Sequence, residues 1–248
     1  MIRFLLLREM PWIPKNRQFN LDEGIFCGSF NWERKNTMSQ TIRASDISLH
    51  DLRTQFGLQL NNDDHFFSEW QTELPDITDF DKHFLDRMKE AYFNLLEYPP
   101  FLEDTVKMAI LGPLLHLAGF YSYPFHTKSE YSGKISAVDG EKVVEGKINV
   151  LVLKDKFWLM VIESKQAALS IEAGLAQILA YMLAHENQGK PCFGMITTGG
   201  SFVFLKVVKG ESPQYAVSRI FELRNPGNEL YSVLGVLKQL EQVALDES

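Results

Sequence analysis

Apolar residues return at helical spacing along residues 80–95, where Phe80, Phe84, Leu85, Met88, Ala91, Tyr92 and Leu95 form a stripe behind a candidate N-cap, Thr78. A shorter stripe of Ile47, Leu49, Leu52 and Phe56 predicts an amphipathic helix capped by Ser45 or Asp46, and a second short helix is expected near 63–70. Pro99 and Pro100 interrupt the pattern, because the residue before a proline is pushed out of the helical region. Beyond them a helix is expected from Phe101 to Leu117, with Val106, Ala109, Ile110, Leu114 and Leu117 facing inward and Gly119 closing it. The pattern then becomes extended at about 121–129, 143–153 and 157–164. The last two segments are nearly continuous in Val, Ile, Leu, Phe and Trp, as strands covered on both faces are. Lys154, Asp155 and Lys156 supply a tight turn between them. Ser170 is the expected cap of a helix reaching about His185, residues 191–198 and 202–208 form a hairpin around Gly199 and Gly200, and a last helix runs from about Asn228 to Val243. Residues 1–37 lack sustained periodicity and are punctuated by Pro11, Pro14, Gly24 and Gly28, so they read as an irregular extension, with Met38 as an alternative native start. The expected organisation is this extension at 1–37, a helical annex at 38–96 and an α/β core at 97–248, the core running helix, three strands, helix, strand.

Composition narrows the function. The 248 residues are 45% hydrophobic and 23% charged, which is globular rather than disordered. No apolar run approaches the roughly 20 residues that cross a bilayer, so no membrane partner is expected. The apolar run Phe4–Leu7 meets Arg8 and Glu9 at once, so export is not expected. Two cysteines, Cys27 and Cys192, make neither a disulfide framework nor a metal cluster, and a cytoplasmic location fits them. A net charge of -7 argues against holding nucleic acid by bulk electrostatics. That acidity is concentrated in residues 38–96, with 5 basic and 11 acidic side chains, and is expected to be a solvated face. There is no phosphate-binding G-x-x-x-x-G-K-[ST] loop, so ATP is not expected, and G-x-G-x-x-G, G-x-S-x-G and H-E-x-x-H are absent too. His116 and His126 flank the first core strand and are given no role.

Glu163 and Lys165 carry the candidate chemistry. Glu-x-Lys alone means little, since it recurs at Glu33–Lys35 and Glu145–Lys147. Glu163 and Lys165, however, close a strand that is apolar from Phe157 to Ile162 and point to the same face of it. Burying such a pair without partners costs several kcal/mol, on the order of the usual desolvation penalties. Two readings follow: a strand-end ion pair meeting solvent, or a divalent-metal site with the carboxylate as hard-oxygen ligand and the lysine beside the attacking water. Asn149 lies on the preceding strand within reach of Glu163, Gln177 and Tyr181 share a face of the following helix, and Glu103 opens the helix before the strands. Ala173, Gly174, Ala176 and Ala184 leave room for that helix to approach the sheet.

With these residues in order, the chain resembles the PD-(D/E)xK nuclease superfamily. It resembles most the small stand-alone restriction-endonuclease-like proteins labelled type I restriction subunit R. The stretches Glu-Tyr-Pro-Pro, Val-Ile-Glu-Ser-Lys, Gly-Leu-Ala-Gln-Ile-Leu-Ala-Tyr, Cys-Phe-Gly-Met-Ile-Thr-Thr-Gly-Gly-Ser and Glu-Leu-Arg-Asn-Pro-Gly carry the likeness, over about five sixths of the chain. The resemblance implies a three-layer α/β/α fold and Mg²⁺- or Mn²⁺-dependent cleavage of DNA, with homo-oligomerisation also compatible. It implies Glu163 as metal ligand, the Ser164 carbonyl as a further ligand, Lys165 orienting or activating water, Gln177 and Tyr181 steadying the site, and Glu103 supporting the metal. The family places an aspartate where this chain has Asn149, an oxygen ligand without charge. Glu145 is no replacement, being roughly 13 Å along the strand at ~3.3 Å per residue. The alternatives to a nuclease are a catalytically degenerate relative that binds nucleic acid or a partner, and a scaffold that never touches nucleic acid.

Overall fold

The computed structural model describes residues 40–136, 142–154, 157–165, 171–185 and 189–246. The extension expected at 1–37, with Cys27, and also Met38, Asp155, Lys156 and Ser170 lie outside these residues. Among the described residues nine strands share one mixed sheet: β1 (Gln40–Arg43), β2 (Gln59–Leu60), β3 (Phe125–Ser136), β4 (Lys142–Lys154), β5 (Phe157–Ser164), β6 (Pro191–Thr197), β7 (Ser201–Val208), β8 (Gln214–Val217) and β9 (Phe221–Glu222). Six α-helical segments accompany them: α1 (Leu49–Phe56), α2 (Asp79–Leu96), α3 (Glu103–Val106), α4 (Gly112–Leu117), α5 (Glu172–Leu183) and α6 (Leu230–Asp246). A π-helical turn, Lys107–Leu111, joins α3 to α4.

Strands β3, β4 and β5 form an antiparallel meander, and α5 carries the chain over to β6, which lies parallel to β5. The expected hairpin follows, β6 antiparallel to β7. Its turn needs glycine at position 200, where a Cβ would sit 2.0 Å from the Tyr92 hydroxyl. Within the expected helical annex, β1 and β2 join the sheet in parallel to β4 and β8, pairings that no local periodicity foretold. Because β3 occupies one edge of β4 along its length, β1 and β5 divide the other edge between its two ends.

Alternation along the central strands sorts two cores onto opposite faces. Val152, Met160, Ile162, Phe193, Met195 and Phe204 pack with residues of α2, α4 and α6. Leu151, Leu153, Val161, Ile196, Val203 and Leu205 pack with residues of α1 and α5. The alternation breaks on β5, where a bulge sets the adjacent Leu159 and Met160 both in the first core, and again on β3 and β4. Ile148 belongs to the second core and Val150 to the first, and Phe125 and Tyr131 change sides in the same way. The change falls at Glu130 and Asn149, which lie between the ladder pairs Ser129↔Val150 and Tyr131↔Ile148. Glu130 has φ 51, a left-handed conformation that costs a non-glycine residue ~1–2 kcal/mol.

Several helix expectations are corrected. The cap of α1 is Ser48, in a reciprocal capping box with Asp51, while Ser45 and Asp46 sit in a 3₁₀ turn. Residues 63–70 form turns rather than a helix, with Phe67 buried against Phe193 and Trp70 edge-on to Phe221. Thr78 does cap α2, accepting from the Asp81 N–H at 3.1 Å. Its buried positions, however, are Asp81, Leu85, Met88 and Tyr92, leaving Phe80 and Phe84 exposed. Asp81 is tolerated there because Lys238 of α6 donates to it at 2.9 Å. No helix among the described residues is long and apolar enough to cross a membrane. Cys192 is a buried free thiol whose pKa is pushed up by burial.

Candidate active site

The site begins with strand parity. Glu163 follows the buried run Met160–Ile162 on β5 and, with Lys165, shares the face of Val161, toward α5. A carboxylate only 2% exposed must find a donor, and Lys165 Nζ lies 2.6 Å from Glu163 Oε1. The same ammonium donates to Gln177 Oε1 at 2.8 Å, which fixes the amide so that its Nε2 donates to the Tyr181 hydroxyl at 3.1 Å. Helical spacing of four residues makes this last contact, since positions i and i+4 stack on one face. The expected cluster of Glu163, Lys165, Gln177 and Tyr181 is therefore one continuous chain of hydrogen bonds.

Tyr181 reaches the sheet through a gap in β4. A Cβ at Gly146 would stand 2.4 Å from its hydroxyl and 3.0 Å from the Ala44 Cβ, so glycine is the residue that admits the ring. Gly146→Ala is expected to cost about 1–2 kcal/mol by overpacking and to displace Tyr181. Urea unfolding measures the first effect. The second should show as an altered titration of the Tyr181 phenol, which burial holds above its ordinary value.

Asn149 is placed beside the strand end but is already engaged. Its Oδ1 accepts from the Ser164 backbone N–H at 2.8 Å and from the Ser164 hydroxyl at 3.2 Å. Both lone pairs are thereby occupied, and the remaining side-chain group, Nδ2, is a donor that cannot ligate a cation. Ser164, fully buried, enters the site through these two donors.

Glu103 comes near in charge rather than by direct contact. It pairs with Lys107 at 2.8 Å, an i, i+4 pair in the first turns of the helix, and its negative charge acts on Glu163. Lys107 also reaches Asp104 at 3.4 Å and Glu130 at 3.3 Å. Burial opposes its charge, yet Glu103 and Glu130 outweigh that and raise its pKa. Sequence reasoning missed that Lys107 acts on Glu163 and that Glu130 pairs with Lys107. The Glu103-to-Lys107 spacing was a usable signal for the first, whereas nothing local marks Glu130.

Electrostatics single out Glu163. Burial pushes its pKa up to about 7, against the pull of Lys165, with Glu103 adding to the rise and Lys107 opposing it. Its second oxygen, Oε2, is buried and has no hydrogen-bond partner among the described residues. An orphaned carboxylate oxygen beside an ammonium suits a hard cation or a proton. Among the described residues no three His, Cys, Asp or Glu side chains already lie close enough to hold an ion together. A cleft of about 770 Å³ between α1 and the β2–β8 edge, bordered by Leu49, Arg53, Leu58 and Tyr215, is lined by none of Glu103, Asn149, Glu163, Lys165, Gln177 and Tyr181.

No protein-family model matches this sequence, and no curated protein matches it.

Proposed function

We propose that the chain is a restriction-endonuclease-like domain of the PD-(D/E)xK kind, three-layered α/β/α, which hydrolyses DNA phosphodiester bonds with Mg²⁺ or Mn²⁺. The observation that carries this reading is the buried Oε2 of Glu163, without a partner among the described residues, beside a lysine held by Gln177. The order helix, antiparallel β3–β4–β5, crossover helix α5 and parallel β6 supports it. Glu163 would hold the ion, with Glu103 near enough for its charge to contribute. A divalent ion there supplies a Lewis acid for the phosphate and lowers the pKa of a bound water. Lys165, its side chain 15% exposed, presents a fixed positive charge at the mouth of the site, favouring an anionic phosphate and orienting a water. Gln177 and Tyr181 keep that ammonium from turning away, so they position rather than react.

A second reading, a catalytically silent module that binds nucleic acid or a protein partner, is favoured by one observation: Asn149 brings no charge and its oxygen is committed to Ser164. Incubation with supercoiled plasmid and with single strands separates the two. Cleavage is expected with Mg²⁺ or Mn²⁺, without ATP, and is lost in EDTA and in Lys165→Ala. DNA retention by both proteins with no cleavage under any condition would leave the silent module.

A further inference from the structure

We infer that Glu130 supplies the second carboxylate of the metal site, the charge that Asn149 lacks, and that Lys107 is the counter-ion it holds when no metal is bound. This rests on the metal-dependent reading above.

The register gives the first reason. Ser129↔Val150 and Tyr131↔Ile148 put Glu130 across from Asn149, and Val150↔Ile162 on the other side leads Asn149 toward Glu163. Glu130, Asn149 and Glu163 thus stand in a row over three neighbouring strands. Shared neighbours give the second reason. Lys107 pairs with Glu130 at 3.3 Å and with Glu103 at 2.8 Å, and its charge also acts on Glu163. From the opposite layer, Tyr181 feels both Glu163 and Glu130. The two carboxylates therefore share Lys107 and Tyr181 as electrostatic neighbours. Independently of the acidic residues around it, Glu163 Oε2 is an oxygen unpartnered among the described residues, on a side chain only 2% exposed.

The backbone adds a consistent detail. Glu130 is the described non-glycine residue with positive φ, and the reversal of the strand faces occurs at its position. In the structure the Lys107 ammonium bridges Glu103 and Glu130. A divalent cation has twice that charge and takes several oxygen ligands, so it can displace Lys107 and draw Glu130 and Glu103 toward Glu163.

Titration calorimetry of the full chain with Mn²⁺ tests the assignment. Glu130→Gln should weaken Mn²⁺ binding at least tenfold, whereas Glu145→Gln, a charge change lower on β4, should leave it within twofold. Lys107→Gln should tighten binding, because the competing ammonium is gone. Circular dichroism checks that each variant is folded. If Glu130→Gln fails to fold, Glu130→Gly, which suits a left-handed backbone, carries the same measurement. Equal Mn²⁺ affinity in the wild type and in the folded Glu130 variant overturns this assignment while leaving the metal-dependent reading in place. Absence of Mn²⁺ binding in the wild type overturns both.

Discussion

Glu163→Gln is expected to fold, to be more stable than the wild type at pH 8 by about 1–3 kcal/mol, and to lose its response to divalent cations. The sign follows from the direction of the pKa shift. Glu163 rises from 4.5 to about 7 in the folded protein, so between these values the folded state binds a proton that the unfolded chain has released. The stabilisation from this group is complete below about pH 4.5 and disappears as pH rises through about 7. At about 1.4 kcal/mol per pH unit the full span is worth about 3 kcal/mol. Glutamine resembles the protonated form at every pH, but it leaves the Lys165 ammonium with a weaker partner, which sets the lower end of the range. For a chain of this size each kcal/mol moves the melting temperature by about 2–4 °C. Melting curves from pH 5 to 8 should therefore decline less steeply for the variant than for the wild type. Mn²⁺ should raise the wild-type melting temperature, since a ligand of the folded state stabilises it, and leave the variant unmoved. Parallel pH profiles for the two proteins would show that Glu163 does not titrate in this window.

Asn149 separates structure from chemistry with two substitutions. Alanine removes the acceptor that Asn149 gives the Ser164 N–H and hydroxyl, both buried, and is expected to cost about 2–4 kcal/mol at about 1–3 kcal/mol per abandoned buried donor. Aspartate keeps the volume and one oxygen on Ser164, and offers a second oxygen where the amide has only a donor. Without metal it adds a like charge near Glu163 and Glu130, so Asn149→Asp should be about 1–2 kcal/mol less stable than the wild type at pH 8. With metal that repulsion turns into coordination. Mn²⁺ affinity should rise at least tenfold, about 1.4 kcal/mol, with faster DNA cleavage if the other residues act as proposed. Unfolding curves and calorimetry check the two halves separately. An alanine variant as stable as the wild type would remove the role given to the Ser164 contacts, and equal metal affinity for Asn, Asp and Ala would place position 149 outside the site.

Much of the fold was legible from short-range pattern. The stripe behind Thr78 became α2, the continuous apolar runs became β4 and β5, and the Gly199–Gly200 punctuation became the β6–β7 turn. The linear arrangement Glu163, Lys165, Gln177, Tyr181 was legible too, because strand parity and helical i, i+4 spacing fix which side chains share a face. The errors fell where a distant partner overrode local preference. Asp81 took a core position that the stripe assigned to an apolar residue, because Lys238, 157 residues away in the chain, neutralises it. The Asp63–Trp70 segment spends its apolar residues on Phe193 and Phe221 as turns, where a helix was expected. β1 is too short for its period to be read, and its pairing with β4 joins Gln40 to Lys142.

The sequence by itself determined the element types of the core, the shared strand face of Glu163 and Lys165 and the shared helix face of Gln177 and Tyr181, since these depend on residues close together in the chain or on the fixed geometry of strand and helix; the link from Lys165 to Gln177 came with the packing of α5 on the sheet. Only the tertiary structure decided that Asn149 faces Ser164 with its oxygen engaged, that Glu163 keeps one oxygen unpartnered among the described residues, and that Lys107, paired with Glu130, brings its charge to bear on Glu163. Those facts depend on where β3 and β4 break their alternation and on which charges three separate elements bring to one strand end, and neither is encoded in any local period.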